Sequence, residues 1–362
     1  MYIKNIQLTN FRNYDVLETE FHKNVNLILG NNAQGKTNLL EAIYITSIGR
    51  SFRTSKDSDL VCFDADFAKV KVSASKELFD TSVDITIKKD SKKSIKKDGV
   101  IIKRTSDLLD NIFIVIFSPE DLKIVKDEPE KRRKFIDREL CQMKPAYYEA
   151  LSHYKKILLQ RNTYLKEETI DQSILDLWDV QLAKYGARIM QMRNQFIEKI
   201  SHISNGIHDS ITNGREKLKI TYLPNVDVEE NFYDILKASY DNDLRQRTTT
   251  KGPHKDDISF IVNDINMRNF GSQGQQRTCA LSLKLAELYL IKEETEEDAI
   301  LLLDDVMSEL DIQRQEYLIK TLKENQLFIT TTDLDEKLFE AFPDAKVIYV
   351  EGGKIREKNS EF

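Results

Sequence analysis

A lysine and a hydroxyl, Lys36 and Thr37, close the run Gly30-Asn31-Asn32-Ala33-Gln34-Gly35-Lys36-Thr37. The run fits G-x-x-x-x-G-K-[ST], and phosphate chemistry asks for these residue types at this spacing. Glycines let backbone N–H groups curl around phosphate oxygens without a Cβ clash. A helix starting at the loop adds partial positive charge. Lys36 can reach the β- and γ-phosphates of a nucleotide, and the Thr37 hydroxyl can ligate Mg²⁺. All eight residues of the run, Gly30 to Thr37, are therefore expected nucleotide contacts.

A second constellation lies far downstream. Ala299-Ile300-Leu301-Leu302-Leu303 is fully apolar and ends in Asp304-Asp305. Paired carboxylates at the end of a core strand suit metal and water chemistry. Asp304 would hold Mg²⁺ with Thr37, and Asp305 would polarise an attacking water. The catalytic set read from sequence is thus Lys36, Asp304 and Asp305. Between the two sites stands Phe270-Gly271-Ser272-Gln273-Gly274-Gln275-Gln276-Arg277, before a helix carrying Leu281, Leu285 and Leu288. A polar, glycine-containing helix start is either a second phosphate-binding surface or an ordinary helix cap. One nucleotide rarely needs two such surfaces. Ser272 and Gly274 are therefore expected to contact a nucleotide held by another protomer.

Particular elements must position these groups. Val25 to Leu29 reads as a short buried strand, and Leu39, Leu40, Ile43 and Tyr44 as the apolar side of an amphipathic helix. Residues 67–117 read as β, with Val70, Val72, Val83, Ile85 and Ile87 alternating and Ile112 to Phe117 as a buried run. From 129 to 250 the chain is helical and polar. Leu175, Trp178, Leu182, Tyr185, Ile189, Met192, Phe196 and Ile203 mark the seam of an antiparallel helix pair, or one face of a helix on a globular subdomain. Strand candidates return at Phe260 to Ile265, Ala299 to Leu303, Leu327 to Thr331 and Val347 to Val350. The expected fold is α/β: a P-loop core with an antiparallel β lobe, split by a helical insertion. The segments are 1–128, 129–250 and 251–362.

Composition narrows the classes. The chain has 362 residues and a formal net charge of −6, which excludes a uniformly basic nucleic-acid coat but not a local patch. Three dispersed cysteines, Cys62, Cys141 and Cys279, form neither a disulfide framework nor a zinc motif and suit buried positions. No apolar run approaches a membrane span and no leader is evident, so a cytoplasmic protein is expected.

The motifs together resemble the ABC-type ATPase heads of the SMC, Rad50 and RecF group, and the RecF family in particular. The likeness runs through Asn10-Phe11-Arg12-Asn13-Tyr14, the Gly30-to-Thr37 loop as Walker A, Gly49-Arg50-Ser51-Phe52-Arg53 and Phe117-Ser118-Pro119-Glu120-Asp121-Leu122. It continues through Arg132-Arg133, Lys251-Gly252-Pro253-His254-Lys255-Asp256-Asp257, the signature at Ser272 to Arg277, and Walker B with the D-loop from Asp304 to Asp311. The resemblance implies ATP and Mg²⁺ as cofactors, Arg12 as a further nucleotide contact, and head-to-head homodimers with ATP. It also implies recombinational repair at DNA gaps, with RecR and RecO as partners and RecA as the protein loaded. Two departures bear on rate. Asp305 stands where ABC heads usually carry Glu, so hydrolysis should be slow. Thr331 or Thr332 stands at the switch position, usually His. The insertion is too short for long coiled coils, since a 40-residue helix reaches only ~60 Å. The rival reading is a P-loop small-molecule kinase or transferase.

Two basic clusters suit duplex DNA. One holds Lys88, Lys89, Lys92, Lys93, Lys96 and Lys97, followed by Asp98-Gly99, a hairpin-turn pair. The other holds Lys131 and Arg132. Such charges give affinity through phosphates without sequence readout, although a charge run is also how a solvated surface is written.

Overall fold

The computed structural model describes residues 1–227, 231–322, 324–332 and 340–357. By contact the chain forms two units, one of residues 1–122 and 287–362 and one of residues 123–286. In chain order the first stretch holds β1 (Tyr2–Phe11), β2 (Tyr14–Glu20), β3 (Val25–Leu29), α1 (Lys36–Ile48), β4 (Phe67–Ser75), β5 (Asp80–Lys88), β6 (Ser91–Lys97), β7 (Val100–Ile101) and β8 (Ile114–Phe117). Next come α2 (Pro129–Met143), α3 (Pro145–Tyr164), α4 (Gln172–Ile211), β9 (Leu218–Leu223), α5 (Phe232–Ala238), α6 (Tyr240–Gln246), β10 (Asp257–Val262), β11 (Ile265–Asn266) and α7 (Met267–Phe270). The chain continues through α8 (Gln273–Thr295), β12 (Ile300–Asp304), α9 (Ile312–Thr321), β13 (Leu327–Thr331), β14 (Lys346–Glu351) and β15 (Lys354–Glu357).

In the first unit, β15-β14-β3-β13-β12-β8 form one sheet. It is parallel except for β15, which pairs antiparallel at the edge. Strands β3, β8 and β12 are buried at every residue, which is why their sequences are apolar except for Asn26 within β3 and Asp304 at the end of β12. The second sheet, β2-β1-β4-β5-β6-β7, is antiparallel throughout, and its strands β4 and β5 alternate buried with half-buried residues. Helix α1 packs on strands of both sheets. Every residue from Leu39 to Ser47 is therefore buried, Glu41, Thr46 and Ser47 included. The expectation of a one-sided amphipathic helix is corrected here, because two sheets leave α1 no solvent face.

The second unit is built on the α3–α4 hairpin. Arg161 bonds Asp179 and Tyr147 bonds Arg193, so the two helices run antiparallel. Helix α4 also packs on β9 of the three-stranded sheet β11-β10-β9. Its buried stripe runs through Leu175, Asp179, Leu182, Gly186, Ile189, Arg193, Phe196, Ile200, Ser204 and Ile207. Trp178, Tyr185, Met192 and Ile203, expected in the seam, are only half-buried. The stripe follows the 3.6-residue helical period and includes the ion-paired Asp179 and Arg193, so the apolar residues alone misplace its later part. The contact boundaries fall at 122/123 and 286/287, whereas the sequence suggested a cut at 251. Residues 257–262 stay with the helical unit because β10 pairs along the length of β9. The single strand expected at Phe260 to Ile265 is a hairpin, turned by Asn263 and Asp264, both at positive φ.

Candidate functional site

The phosphate loop is held from two sides. The turn between β1 and β2 supplies Asn13, whose Nδ2 donates to the Gln34 carbonyl at 2.9 Å, and Tyr14, whose hydroxyl donates to the Gly35 carbonyl at 3.0 Å. The turn between β14 and β15 supplies the Gly353 amide, 3.0 Å from the Gln34 carbonyl, and the Gly352 amide, 2.7 Å from Gln34 Oε1. Close approach dictates the glycines. A Cβ on Gly30 would lie 2.3 Å from the Val350 carbonyl oxygen, and one on Gly353 would lie 1.9 Å from that of Asn13. Gly35 adopts φ 123° and Ala33 φ 65°, which curl the loop.

The residues present fit a nucleotide phosphate. Gly35 caps α1 without a side-chain acceptor, and no acid stands in the helix's first turn. The first amides of a helix lack intrahelical acceptors, so they remain donors for an anion. Lys36 is buried, with its ammonium 2.6 Å from the Gly30 carbonyl and 3.4 Å from that of Asn31. The cation is thus stored over its own loop.

The parallel sheet brings the distant acid pair to this loop. Strand β12 delivers Asp304, and Thr37 Oγ1 donates to Asp304 Oδ1 at 2.8 Å. Thr330, on neighbouring β13, places its hydroxyl 3.0 Å from the same oxygen and accepts from the Asp305 amide at 2.9 Å. Thr330 is one site residue that sequence reasoning missed. The γ-phosphate sensor expected at Thr331 or Thr332 is a separate role; the hydroxyl on the Asp304 carboxylate belongs to the residue before them. No signal within either strand gives it: Thr330 meets Asp304 through the register of β12 and β13. Asp333, which follows Thr332 in the sequence, lies outside the described residues. An oxygen-only pair, Thr37 and Asp304, suits Mg²⁺, which takes few protein ligands and completes its shell from water and phosphate.

Burial pushes the Asp304 carboxyl above the usual carboxylate range, and the Asp305 charge adds to this, while the Thr37 and Thr330 hydroxyls and the Arg53 charge oppose it. The sign follows. A raised folded-state pKa means that the ionised form costs stability above that pKa, and the cost fades as pH falls toward the unfolded value. Asp304→Asn keeps an oxygen for both hydroxyls and removes the charge. It is expected to raise the melting temperature of the nucleotide-free chain by about 2 °C at neutral pH. Calorimetry at pH 7.5 checks this; a lower melting temperature would mean that the carboxylate stabilises the fold.

Asp305 stands just past β12 at φ 53°, and its carbonyl accepts from Ser308 Oγ at 2.9 Å. Arg12 also has positive φ, 55°. Its Nε and Nη2 each lie 2.8 Å from the Glu41 carboxylate, and Nη1 donates to the Asp59 carbonyl at 2.7 Å. All three guanidinium nitrogens thereby bond within the protein. Glu41, fully buried one turn beyond Thr37, also takes bonds from Ser51 and Arg53. Arg53 further donates to Asn38 Oδ1 at 2.7 Å. The Gly49-to-Arg53 motif thus closes around the first turns of α1. Nothing in the spacing of Glu41 announced it, because an acid inside an apolar helix stretch reads as a surface position.

In the other unit, Ser272 and Gly274 stand at the start of α8. Ser272 is exposed, and its hydroxyl accepts from the Gln275 amide at 3.2 Å while Gln275 Oε1 accepts from the Ser272 amide at 3.1 Å. This reciprocal pair is a capping box. The capping reading of this motif is therefore fulfilled, and it leaves the helix start open to solvent.

The basic clusters divide. Lys97 pairs with Val100 across Asp98 and Gly99, both at positive φ, as expected of a two-residue hairpin turn. Lys88, Lys92 and Lys96 are exposed. Lys93 is tied to Asp57 at 2.8 Å, Lys89 to the Phe63 carbonyl at 2.8 Å, and Lys97 is half-buried. Lys131 is exposed, but Arg132 must be withdrawn from the DNA candidates. It is 1% exposed, paired through Nε and Nη2 with Asp257 at 2.6 and 2.9 Å, with Nη1 on the Asp127 carbonyl at 2.5 Å. A guanidinium already forked onto a carboxylate inside the fold cannot present itself to DNA. Cys141 and Cys279 are buried as expected, while Cys62 is half-buried.

Relatedness agrees with this geometry. The RecF/RecN/SMC N-terminal domain model matches residues 2–355. A DNA replication and repair protein RecF of Clostridium botulinum (strain ATCC 19397 / Type A) is 44% identical over 364 residues, 98% of this chain and 100% of its own. The chain belongs to the RecF family. A solved structure of the recombination mediator protein RecF-ATP in the RecFOR pathway superposes with a TM-score of 0.90 at 39% identity, covering 99% of this chain and 98% of that one. The Smc head domain of Pyrococcus furiosus shares the fold alone, with TM-score 0.55 and 17% identity over 99% of this chain and 96% of that one. The ABC-type head, with its P-loop α/β core and antiparallel β lobe, is thus the fold of this RecF-family chain, and the kinase reading is not favoured. Among the described residues no helix is long and apolar enough to cross a membrane.

Proposed function

We propose that this chain is an ATP-switched DNA clamp of recombinational repair, acting in the cytoplasm. The observation that carries the reading is the contact of Thr37 with Asp304, which joins the phosphate loop to the acid pair. ATP binds at Gly30 to Thr37. Mg²⁺ held between Thr37 and Asp304 would offset phosphate charge. A second protomer offers Ser272 and Gly274 to the γ-phosphate, so that two ATPs close a head-to-head dimer. Asp305 orients the attacking water, and its short side chain makes hydrolysis slow. Duplex DNA, stimulating that hydrolysis, is gripped by backbone contacts near gaps or junctions. Family resemblance supports RecR and RecO as partners and RecA as the protein loaded.

Mass in solution tests this. A monomer with ADP should become a dimer with a non-hydrolysable ATP analogue, more so with duplex DNA. A monomer under every condition would break the link between Ser272 and a neighbour's ATP. On the DNA side, Lys92→Ala and Lys96→Ala should each lower the slope of log affinity against log salt by about 1, whereas Lys93→Ala, whose charge is spent on Asp57, should change it less. Equal slopes for all three would remove the hairpin from the DNA path.

A further inference from the structure

Within the helical unit lies a cavity of about 260 Å³. Four cations line it, Arg133, Lys134, Lys155 and Arg193, against two carboxylates, Glu130 and Asp137. The pairing among them is uneven. Lys134 reaches Glu130 at 2.7 Å, and Lys155 reaches Asp137 at 3.1 Å. Arg193 is spent on Asp137 and on Asp256 behind it, both at 2.8 Å. Arg133 donates one Nη to the Asp256 backbone carbonyl at 2.8 Å, an uncharged acceptor. Even with Asp256 counted, one positive charge is left over beside a partly enclosed space. His254 does not add to it. Its Nε2 donates to the Thr249 carbonyl at 2.9 Å, so Nδ1 accepts from the Tyr154 hydroxyl at 2.8 Å.

We propose that this cavity is a binding pocket for a single phosphate group. The Arg133 guanidinium and the Lys134 and Lys155 ammoniums converge on it from α2 and α3, a set of donors that matches the several oxygens of phosphate better than the two of a carboxylate. The volume falls below the usual range for whole organic ligands, so a complete nucleotide does not fit. A backbone phosphodiester, flanked by sugar on both sides, offers two free oxygens, whereas a terminal or free phosphate enters end-on and offers three or more to the lining cations. The ligand is therefore a terminal phosphate monoester or free inorganic phosphate.

The test uses the full chain carrying Lys36→Ala, which weakens phosphate binding at the loop. Inorganic phosphate is titrated in at constant ionic strength and followed by ³¹P NMR and calorimetry. One saturable site is expected, weakened by about tenfold in the Lys134→Gln/Lys155→Gln double variant, as for the loss of a charged hydrogen bond. These exposed lysines can be changed without disturbing the core. No saturable binding, or the same affinity in both proteins, overturns the proposal. Duplexes with and without a 5′-phosphate then identify the source. A preference for the phosphorylated duplex that the double variant loses assigns the pocket to a DNA end. Equal duplex affinities together with phosphate binding assign it to the free ion. The inorganic-phosphate arm does not depend on DNA binding, so a chain that ignores DNA altogether would count against the clamp and not against the pocket.

Discussion

Asp305→Asn is expected to bind the ATP analogue like the parent chain, to form the same dimer, and to hydrolyse ATP about 10²–10⁴-fold more slowly, the range contributed by a positioned general base. The substitution is conformationally mild. Asp305 sits at φ 53°, a region that Asn tolerates as well as Asp. Its carbonyl, not its carboxylate, holds Ser308, and its amide bonds Thr330, so both contacts survive. Only the carboxylate's basicity is lost. Lys36→Ala separates binding from turnover. It removes a charge-assisted contact to phosphate, so nucleotide affinity should fall about 10–100-fold and the nucleotide-driven dimer should disappear. The nucleotide-free chain should be only modestly affected, because Lys36 there bonds just two loop carbonyls. Single-turnover hydrolysis and light scattering on both variants check this. An Asp305→Asn chain turning over at the parent rate would remove Asp305 from the chemistry.

The contrast between Thr330 and the motif residues shows where sequence reading stops. Gly30 to Thr37 is legible because each residue type answers a local need: a curl, a donor, a helix start. Asp304-Asp305 is legible because a buried strand must end where carboxylates begin. Thr330 is a different case. Its role depends on which strand lies beside β12, and pairing between strands distant in sequence is not written in either one alone. The same holds for Glu41, which looks like a solvent residue until Arg12, Ser51 and Arg53 close over it. The hairpin turn at Asp98-Gly99 was local and readable, whereas the fate of its lysines was not, since Asp57 captures Lys93 from another part of the chain. The 251–257 motif likewise turns inward. Asp256 is buried and takes Arg193, Tyr222 and the Asn225 amide, and Asp257 takes Arg132. Its acids are structural partners of arginines on helices α2 and α4, which apolar periodicity does not register.

Arg161→Ala is expected to be the most damaging single change in the helical unit, destabilising it by about 3–5 kcal/mol, the usual effect of removing one partner of a buried ion pair. Arg161 is fully buried. It reaches Asp179 at 2.6 Å, Asp243 at 2.7 Å and the Thr249 hydroxyl at 2.8 Å, tying α3, α4, α6 and the 249 loop together. Truncation leaves two buried carboxylates without their cation. Arg161→Lys should recover part of the loss, because one ammonium keeps the charge but cannot span both acids. The damage should depend on pH. Burial already holds the Asp179 carboxyl above the ordinary carboxylate range, with Arg161 pulling it down. Without Arg161 the folded-state pKa rises further, so the ionised form costs more above it and protonation relieves the cost below it. Destabilisation should therefore be smaller at pH 5 than at pH 8. The chain's single tryptophan makes this measurable unit by unit. Trp178 lies on α4, with its ring centroid 5.2 Å from that of Tyr164, and its fluorescence follows the helical unit alone. A shift of the urea midpoint by about 1–2 M at pH 8, narrowing at pH 5, is the expected result. An unchanged midpoint would mean that the buried network contributes specificity to the helix hairpin without stabilising it.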